Sequence, residues 1–139
     1  MTANPYTIAL ASPAAAEYSD LRSKVGWNKI EASMAEASLA NSLFHVTVRD
    51  QDKLIGMGRV VGDGVMYFYI QDVVVDANYQ GQGIGHMLME AIEHYLAGAV
   101  KPGSTIGLLA AKGKENFYTR YGYIERPNEA LGNGMCKFI

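Results

Sequence analysis

The apolar positions change their period along the chain, and each change marks an element. Tyr6-Thr7-Ile8-Ala9-Leu10 reads as a short first strand. Ser12 followed by Pro13 predicts a helix start with proline at the first helical position, and the helix runs to about Lys24. Gly26-Trp27-Asn28 breaks it, and Asn28 can cap a second helix through about Leu39. Leu43 to Arg49 alternates as a strand, and Asp50 to Lys53 is a polar turn. Leu54 to Val61 is the next strand. The turn Gly62-Asp63-Gly64 leads into a third, from Val65 to Val75. Strand runs joined by short polar turns predict an antiparallel meander.

After Asp76-Ala77-Asn78 the period becomes helical. Ile84, Met87, Leu88, Ala91, Ile92, Tyr95 and Leu96 fall on one face of a helix that Gly98 ends. Ser104 to Ala111 is a short apolar strand, and Glu115 to Tyr121 a short helix stopped at Gly122. The tail from Tyr123 to Ile139 holds two short strand candidates around a loop from Pro127 to Gly134. The order is α+β (mixed α/β), with one strand–helix–strand crossover. Neither an internal repeat nor a Pro/Ser-rich linker is present, so residues 1–139 read as a single domain.

Composition narrows the classes. Twelve Lys and Arg against 14 Asp and Glu give a net charge of −2, which offers no global basic field for nucleic acid. Continuous apolar runs stay below the ~18 residues of a membrane span. The lone cysteine, Cys136, excludes an internal disulfide framework and fits a reducing, cytoplasmic compartment. It reads as a buried small hydrophobe of the last strand rather than a nucleophile. The first ten residues, Met1 to Leu10, carry no secretory pattern. His86 and His94 are two helical turns apart, too far to share a metal, and His45 reads as a surface or satisfied histidine; no metal site is expected.

Glycine changes the picture most. Three of the 15 glycines are Gly81, Gly83 and Gly85, between the apolar strand Val73-Val74-Val75 and the amphipathic helix. A helix start leaves backbone N–H groups unpaired at the positive end of the macrodipole, and glycines let an anion approach them. Hydrogen bonds to a charged group contribute about 1.5–3 kcal/mol each, enough for a few of them to anchor a pyrophosphate. A triphosphate P-loop needs Lys-Ser or Lys-Thr after the last glycine, but His86-Met87 follows. The Gly81-x-Gly83-x-Gly85 spacing also departs from the dinucleotide fingerprint. What remains is Gln80-x-x-Gly83-x-Gly85.

That motif resembles the acetyl-CoA motif of the GCN5-related N-acetyltransferase (GNAT) superfamily, Gln/Arg-x-x-Gly-x-Gly/Ala. Asn116-Phe117-Tyr118-Thr119-Arg120-Tyr121-Gly122-Tyr123 resembles the same family's Phe-Tyr-x-x-x-Gly-Phe signature, with Tyr123 in place of the usual Phe. Both motifs stand in the family's order, and the resemblance spans nearly the whole chain. It implies a GNAT fold: a central, mostly antiparallel sheet of six to seven strands flanked by about four helices. It also implies that acetyl-CoA is the cosubstrate, held by Val73, Val74, Val75, Gln80, Gly81, Gln82, Gly83, Ile84, Gly85, His86 and Asn116. Its thioester carbonyl would receive a backbone N–H near Val73 or Val74.

Acetyl transfer to an amine needs a neutral acceptor, a polarised carbonyl and a proton for the departing thiolate. An alkylammonium is only about 0.1% neutral at pH 7.4, a handicap of roughly 4 kcal/mol that a base or a desolvating pocket can reduce. The resemblance makes Tyr118 the general acid. Asp72 is the base or positioning candidate, because a carboxylate inside an apolar strand is locally unfavourable. The competing reading is that Asp72 pairs with an arginine or marks a bulge. Successive strand residues face opposite ways, so Gln71 and Asp72 share a face only if a bulge intervenes. Trp27, Tyr69 and Gln71 are the acceptor-side candidates, with Trp27 read as a pocket wall and a core anchor as its competing reading. The expected partner is a primary amine, a small molecule of aryl or arylalkyl type; a protein lysine or N-terminal amine, or a catalytically silent acyl-CoA sensor, is the alternative. No nucleic acid or membrane partner is expected, and a homodimer is left open.

Overall fold

The computed structural model describes residues 4–139. The elements run β1 (Thr7–Ala9), α1 (Ala15–Lys24), α2 (Ala32–Ala40), β2 (Phe44–Asp50), β3 (Lys53–Gly62) and β4 (Tyr67–Val75). A 3₁₀ turn (Ala77–Tyr79) then leads to α3 (Ile84–Ala99), β5 (Thr105–Leu108) and α4 (Glu115–Thr119). The strands form one sheet in chain order, β1-β2-β3-β4-β5. The first three pairings are antiparallel; short polar turns require this of β2–β3 and β3–β4, while β1 reaches β2 only after both α1 and α2. By contacts the chain divides into two compact units, Met1–Gly107 and Leu108–Ile139.

In the first unit the sheet is sandwiched. On one face Tyr18 and Leu21 of α1, with Ala35 and Leu39 of α2, pack on Leu54, Met57 and Val74 of the sheet. On the other lies α3, whose Ile84, Leu88, Met89, Ile92 and Leu96 are buried. Nearly every position of β3 is buried because both of its faces are covered. Two glycines let α3 come close. A Cβ on Gly56 would lie 2.9 Å from Ile84 Cγ2, and one on Gly58 would lie 2.9 Å from Ile92 Cδ1. Gly56→Ala is therefore expected to push the start of α3 off the sheet, destabilising the protein by about 1–3 kcal/mol. Chemical denaturation measures that loss.

Two helix starts differ from expectation. Pro13 precedes α1 rather than opening it: Ala14 is the N-cap residue, and Glu17 accepts its N–H at 2.9 Å. Glu17 is also held by Arg49 Nη1 and Nη2 at 2.8 and 2.6 Å, which favours a start one turn before it. Asn28 caps nothing. Trp27 and Ile30 are packed against the core cluster, so the chain does not turn helical until Ala32, with Glu31 as N-cap residue.

Five strands are present among the described residues, where six to seven were expected. The difference lies in the tail. Asn128 ties the Pro127–Gly134 loop to itself: its side-chain oxygen accepts N–H groups from Ala130 and Leu131, and its own N–H reaches the Leu131 carbonyl at 3.0 Å. The flanking segments form no strand, and Ile124, Met135, Phe138 and Ile139 are exposed. Alternating residues alone do not make a strand without a ladder partner. Cys136 is correspondingly exposed, not a buried residue of a last strand.

Candidate active site

The site begins at a fault in β4. Pairing with β3 runs Met57 with Val74, then Arg59 with Gln71, so Asp72 and Val73 together stand opposite Gly58. This is a bulge. Asp72 adopts a left-handed backbone, with φ of 56°. Asp and Asn are the residues that tolerate this conformation best after glycine. The extra residue resets the alternation. Val73 approaches Gly58 on the α3 side, while Val74 packs with the α1–α2 cluster. Gln71 and Asp72 both face the α1–α2 side, where Gln71 Nε2 donates to Asp72 Oδ1 at 3.2 Å.

The Asp72 side chain is fully buried, and donors from three elements converge on it. Arg59 Nε and the Tyr18 hydroxyl each donate to Oδ2 at 2.8 Å, and Arg22 Nη1 reaches Oδ1 at 3.3 Å. Arg59 is nearly buried as well. Its Nη1 donates to the Ser38 carbonyl at 3.1 Å and the Ser42 hydroxyl at 3.0 Å, at the end of α2. Burial, then the adjoining Asp72 charge, pushes the Tyr18 hydroxyl pKa up. Both bland readings of Asp72 are thus realised: it pairs with arginine and it marks a bulge. Trp27 is half-buried against the core cluster, and the Arg22 guanidinium lies 5.2 Å from its ring. Tyr69 is half-buried on β4 beside this cluster's strand segment.

From Val75 the chain leaves the sheet through Asp76. Its N–H bonds the Ile55 carbonyl at 2.8 Å, and its buried carboxylate accepts the Asn78 N–H at 3.0 Å. Lys24 and Lys53 approach the same carboxylate at 3.5 and 3.9 Å. The loop beyond is braced by tyrosines. Tyr79 donates to Asp50 at 2.7 Å, and Tyr6 donates to Gln82 at 2.5 Å and meets the Tyr79 ring edge-on. Gln80 turns back to the Val75 carbonyl at 3.1 Å.

Gly81 and Gly83 have φ of 81° and 83°, and Gly83 is the N-cap residue of α3. A Cβ on either would meet nothing within 4 Å, so the glycines serve backbone conformation and approach from outside rather than close packing. The first helical bond runs from the Met87 N–H to the Gly83 carbonyl, so the amides of the turn from Ile84 precede the ladder. No side chain caps this end, and no acidic residue stands in the first turn. These features fit a pyrophosphate: the amides of Ile84 and Gly85 precede the ladder, the helix end is positive, and the first turn holds no acidic residue. His86 is half-buried in that first turn. The other histidines stay outside the site; His45 Nε2 lies 2.9 Å from the Leu39 carbonyl, and burial holds its imidazole below the usual pKa. No group of three or more metal-ligating side chains occurs among the described residues. Nor is any described helix long and apolar enough to cross a membrane.

The second unit carries Tyr118 and Asn116 on α4. Phe117 meets the Tyr118 ring edge-on at 5.0 Å and the Tyr121 ring at 5.8 Å. Asn116 is exposed, and its carbonyl accepts the Thr119 hydroxyl at 3.2 Å. Gly122, with φ of 93°, closes the turn by donating to the Thr119 carbonyl at 3.0 Å. Burial raises the Tyr118 pKa above the ordinary phenol value.

A family model described as an acetyltransferase (GNAT) domain matches residues 14–138. The chain belongs to the GNAT acetyltransferase family. A solved structure from meticillin-resistant Staphylococcus aureus, of a protein of unknown function, superposes with a TM-score of 0.87 at 33% identity, covering 96% of this chain and 99% of that one. A GNAT-family acetyltransferase from Streptococcus pneumoniae superposes at 0.77 with 28% identity, covering 96% and 98%. Among curated relatives, a histone acetyltransferase of Glycine max is 32% identical, over 78% of this chain and 51% of its own length. An uncharacterized N-acetyltransferase of Prochlorococcus marinus is 33% identical, over 88% and 67%. The chain thus spans about half to two-thirds of the length of these two curated relatives. The fold is the GNAT fold, with five strands and four α-helices among the described residues.

The GNAT domain brings Gln71, Asp72 and Val73–Val75 into one bulged strand that feeds the glycine loop. Tyr18, Arg22 and Arg59 escaped the sequence reading. Arg59 carried a legible signal, a charged residue inside an apolar strand, the same that drew attention to Asp72. Tyr6 and Tyr79 carried none, since bracing a loop across the fold leaves no local pattern.

Proposed function

We propose that this chain transfers the acetyl group of acetyl-CoA to a primary amine by direct attack in a ternary complex. The observation that carries the reading is the uncapped start of α3, opened by left-handed Gly83 and fed by a bulged strand through one 3₁₀ turn. In this reading the amides of Gly81 to His86, with Gln80 and Gln82, hold the pyrophosphate. Backbone groups of Val73 to Val75 take the pantetheine arm, and an amide near Val73 or Val74 polarises the carbonyl. Asn116 serves the cofactor side of the second unit. The amine nitrogen bonds to the carbonyl carbon, the carbon–sulfur bond breaks, and Tyr118 gives its proton to the thiolate. The ammonium proton leaves to water, and solvent reprotonates Tyr118.

Asp72 acts here by position rather than as the base. Its oxygens already accept four side-chain hydrogen bonds, and the side chain has no solvent exposure. The acceptor is a small aryl or arylalkyl amine received near Trp27, Tyr69 and Gln71. The lone Cys136 supports a reducing compartment such as the cytoplasm and leaves the direct route as the simple one.

A panel containing phenethylamine, an aniline, a polyamine and a lysine peptide, read by thiol release from acetyl-CoA, tests this. Turnover on the arylalkylamine or the aniline is expected. The soybean relative's description as a histone acetyltransferase supports the lysine alternative, and turnover confined to the peptide would establish it. Tight acetyl-CoA binding without turnover on any amine would favour a sensor.

The raised Tyr118 pKa sets a pH expectation. A general acid works in its protonated form, and burial holds that proton to higher pH. At saturating amine, kcat is expected to show no basic limb below about pH 10, the ordinary tyrosine value. A falling limb centred near pH 8 would exclude Tyr118 as the titrating acid.

A further inference from the structure

We propose that Tyr18 and Arg59 are positioning residues for acetyl transfer: they clamp the Asp72 carboxylate and thereby fix the β4 bulge that aims its amide at the thioester. The inference rests on the acetyl-transfer reading and extends it to side chains that touch neither substrate.

Asp72 is held in a backbone conformation that L residues with a Cβ seldom adopt. Such a conformation persists only where its surroundings over-determine it. The two short hydrogen bonds, both 2.8 Å, come from the two donors that are themselves anchored. Tyr18 is 3% exposed within the α1–α2 core cluster, and Arg59 is 6% exposed and bound to the end of α2. Arg22 and Gln71 are more exposed and bond at longer range, 3.3 and 3.2 Å. The clamp is therefore Tyr18 and Arg59, with Arg22 and Gln71 as outer contacts.

Position along the chain makes the clamp matter. The peptide unit joining Asp72 to Val73 is planar, so the direction of the Val73 N–H follows the Asp72 backbone angles. Releasing the carboxylate removes the contacts that favour φ of 56° and lets this peptide swing toward ordinary strand geometry. Adhesion of the helices to the sheet needs none of this. Leu21, Leu39, Leu54 and Met57 supply it, and a buried ion pair is weak evidence for stability by itself.

The test uses the full chain with Tyr18→Phe, which deletes one hydroxyl, and Asp72→Asn, which keeps shape and tolerance of the left-handed conformation. Three quantities are read: kcat, the KM for acetyl-CoA, and the carbonyl stretch of bound acetyl-CoA labelled with ¹³C at the carbonyl. In Tyr18→Phe, kcat is expected to fall about tenfold with KM within about twofold, the pattern of a lost transition-state contact. The carbonyl band moves back toward the free thioester frequency in both variants. Wild-type kcat and an unmoved band in both, even with a lowered melting temperature, would overturn the clamp and leave a merely structural cluster. A loss of kcat in Asp72→Asn, with Tyr18→Phe fully active and its band unmoved, would also overturn it and return Asp72 to the base role. If the wild-type chain acetylates no amine, the transfer reading fails, and the band shift alone decides the clamp.

Discussion

Replacing Tyr118 with phenylalanine is expected to lower kcat by about 10²- to 10⁴-fold, the usual worth of a positioned general acid. The KM for acetyl-CoA should stay within about threefold, because the hydroxyl acts on the departing sulfur and not on the bound pyrophosphate. Phenylalanine keeps the ring that meets Phe117 edge-on, so α4 retains its aromatic packing and the variant should melt close to wild type. The raised Tyr118 pKa keeps the proton in place at neutral pH, which is what a thiolate leaving group requires. Steady-state kinetics with an amine from the active panel, alongside a thermal melt, separate the cases. Unchanged turnover would remove Tyr118 from the mechanism. A comparable fall in kcat and melting temperature would make it a packing residue.

Arg59→Leu is expected to destabilise the chain by about 3–5 kcal/mol, because it strips a buried carboxylate of its nearest charge partner. Asp72 Oδ2 would keep only the Tyr18 hydroxyl, and Arg22 would remain at 3.3 Å from Oδ1. The Ser38 carbonyl and Ser42 hydroxyl would lose their donor at the same time. Arg22→Leu should cost far less, on the order of 1 kcal/mol, since the side chain is partly exposed and its ion pair longer. Urea unfolding of both variants checks the ranking. The double variant Arg59→Leu/Asp72→Asn should recover part of the loss, since asparagine removes the unpaired buried charge and still tolerates the left-handed backbone at position 72. Equal, small losses for Arg59→Leu and Arg22→Leu would show that the carboxylate is not dependent on Arg59.

Periodicity made most of the fold legible. The meander from Phe44 to Val75 and the helix from Ile84 to Ala99 follow from alternation and from one apolar helical face, and both formed within a few residues of expectation. The loop was legible because Gly81 and Gly83 announce backbone angles that other residues resist. Tail strands were over-read for a physical reason: alternation records a face, but a strand also needs a neighbour, and Asn128 closes its loop without one. Asp72 shows the opposite limit. Its oddity inside an apolar strand was visible, yet its partners sit on α1 and β3, at Tyr18, Arg22 and Arg59. A single chain of letters does not record which distant hydroxyl or guanidinium folds onto a carboxylate. The bulge was legible only as an alternative for Asp72, since an inserted residue is settled when the register of the facing strand is known.

The central claim is that the glycine loop and the start of α3 hold the pyrophosphate of acetyl-CoA. The direct measurement is a titration of the ¹⁵N-labelled chain with acetyl-CoA, following backbone amide resonances. The largest shifts are expected at Gly81, Gly83, Ile84 and Gly85, with smaller ones at Val73 and Val74. Saturable binding that leaves the Gly81–Gly85 amides unmoved would contradict it.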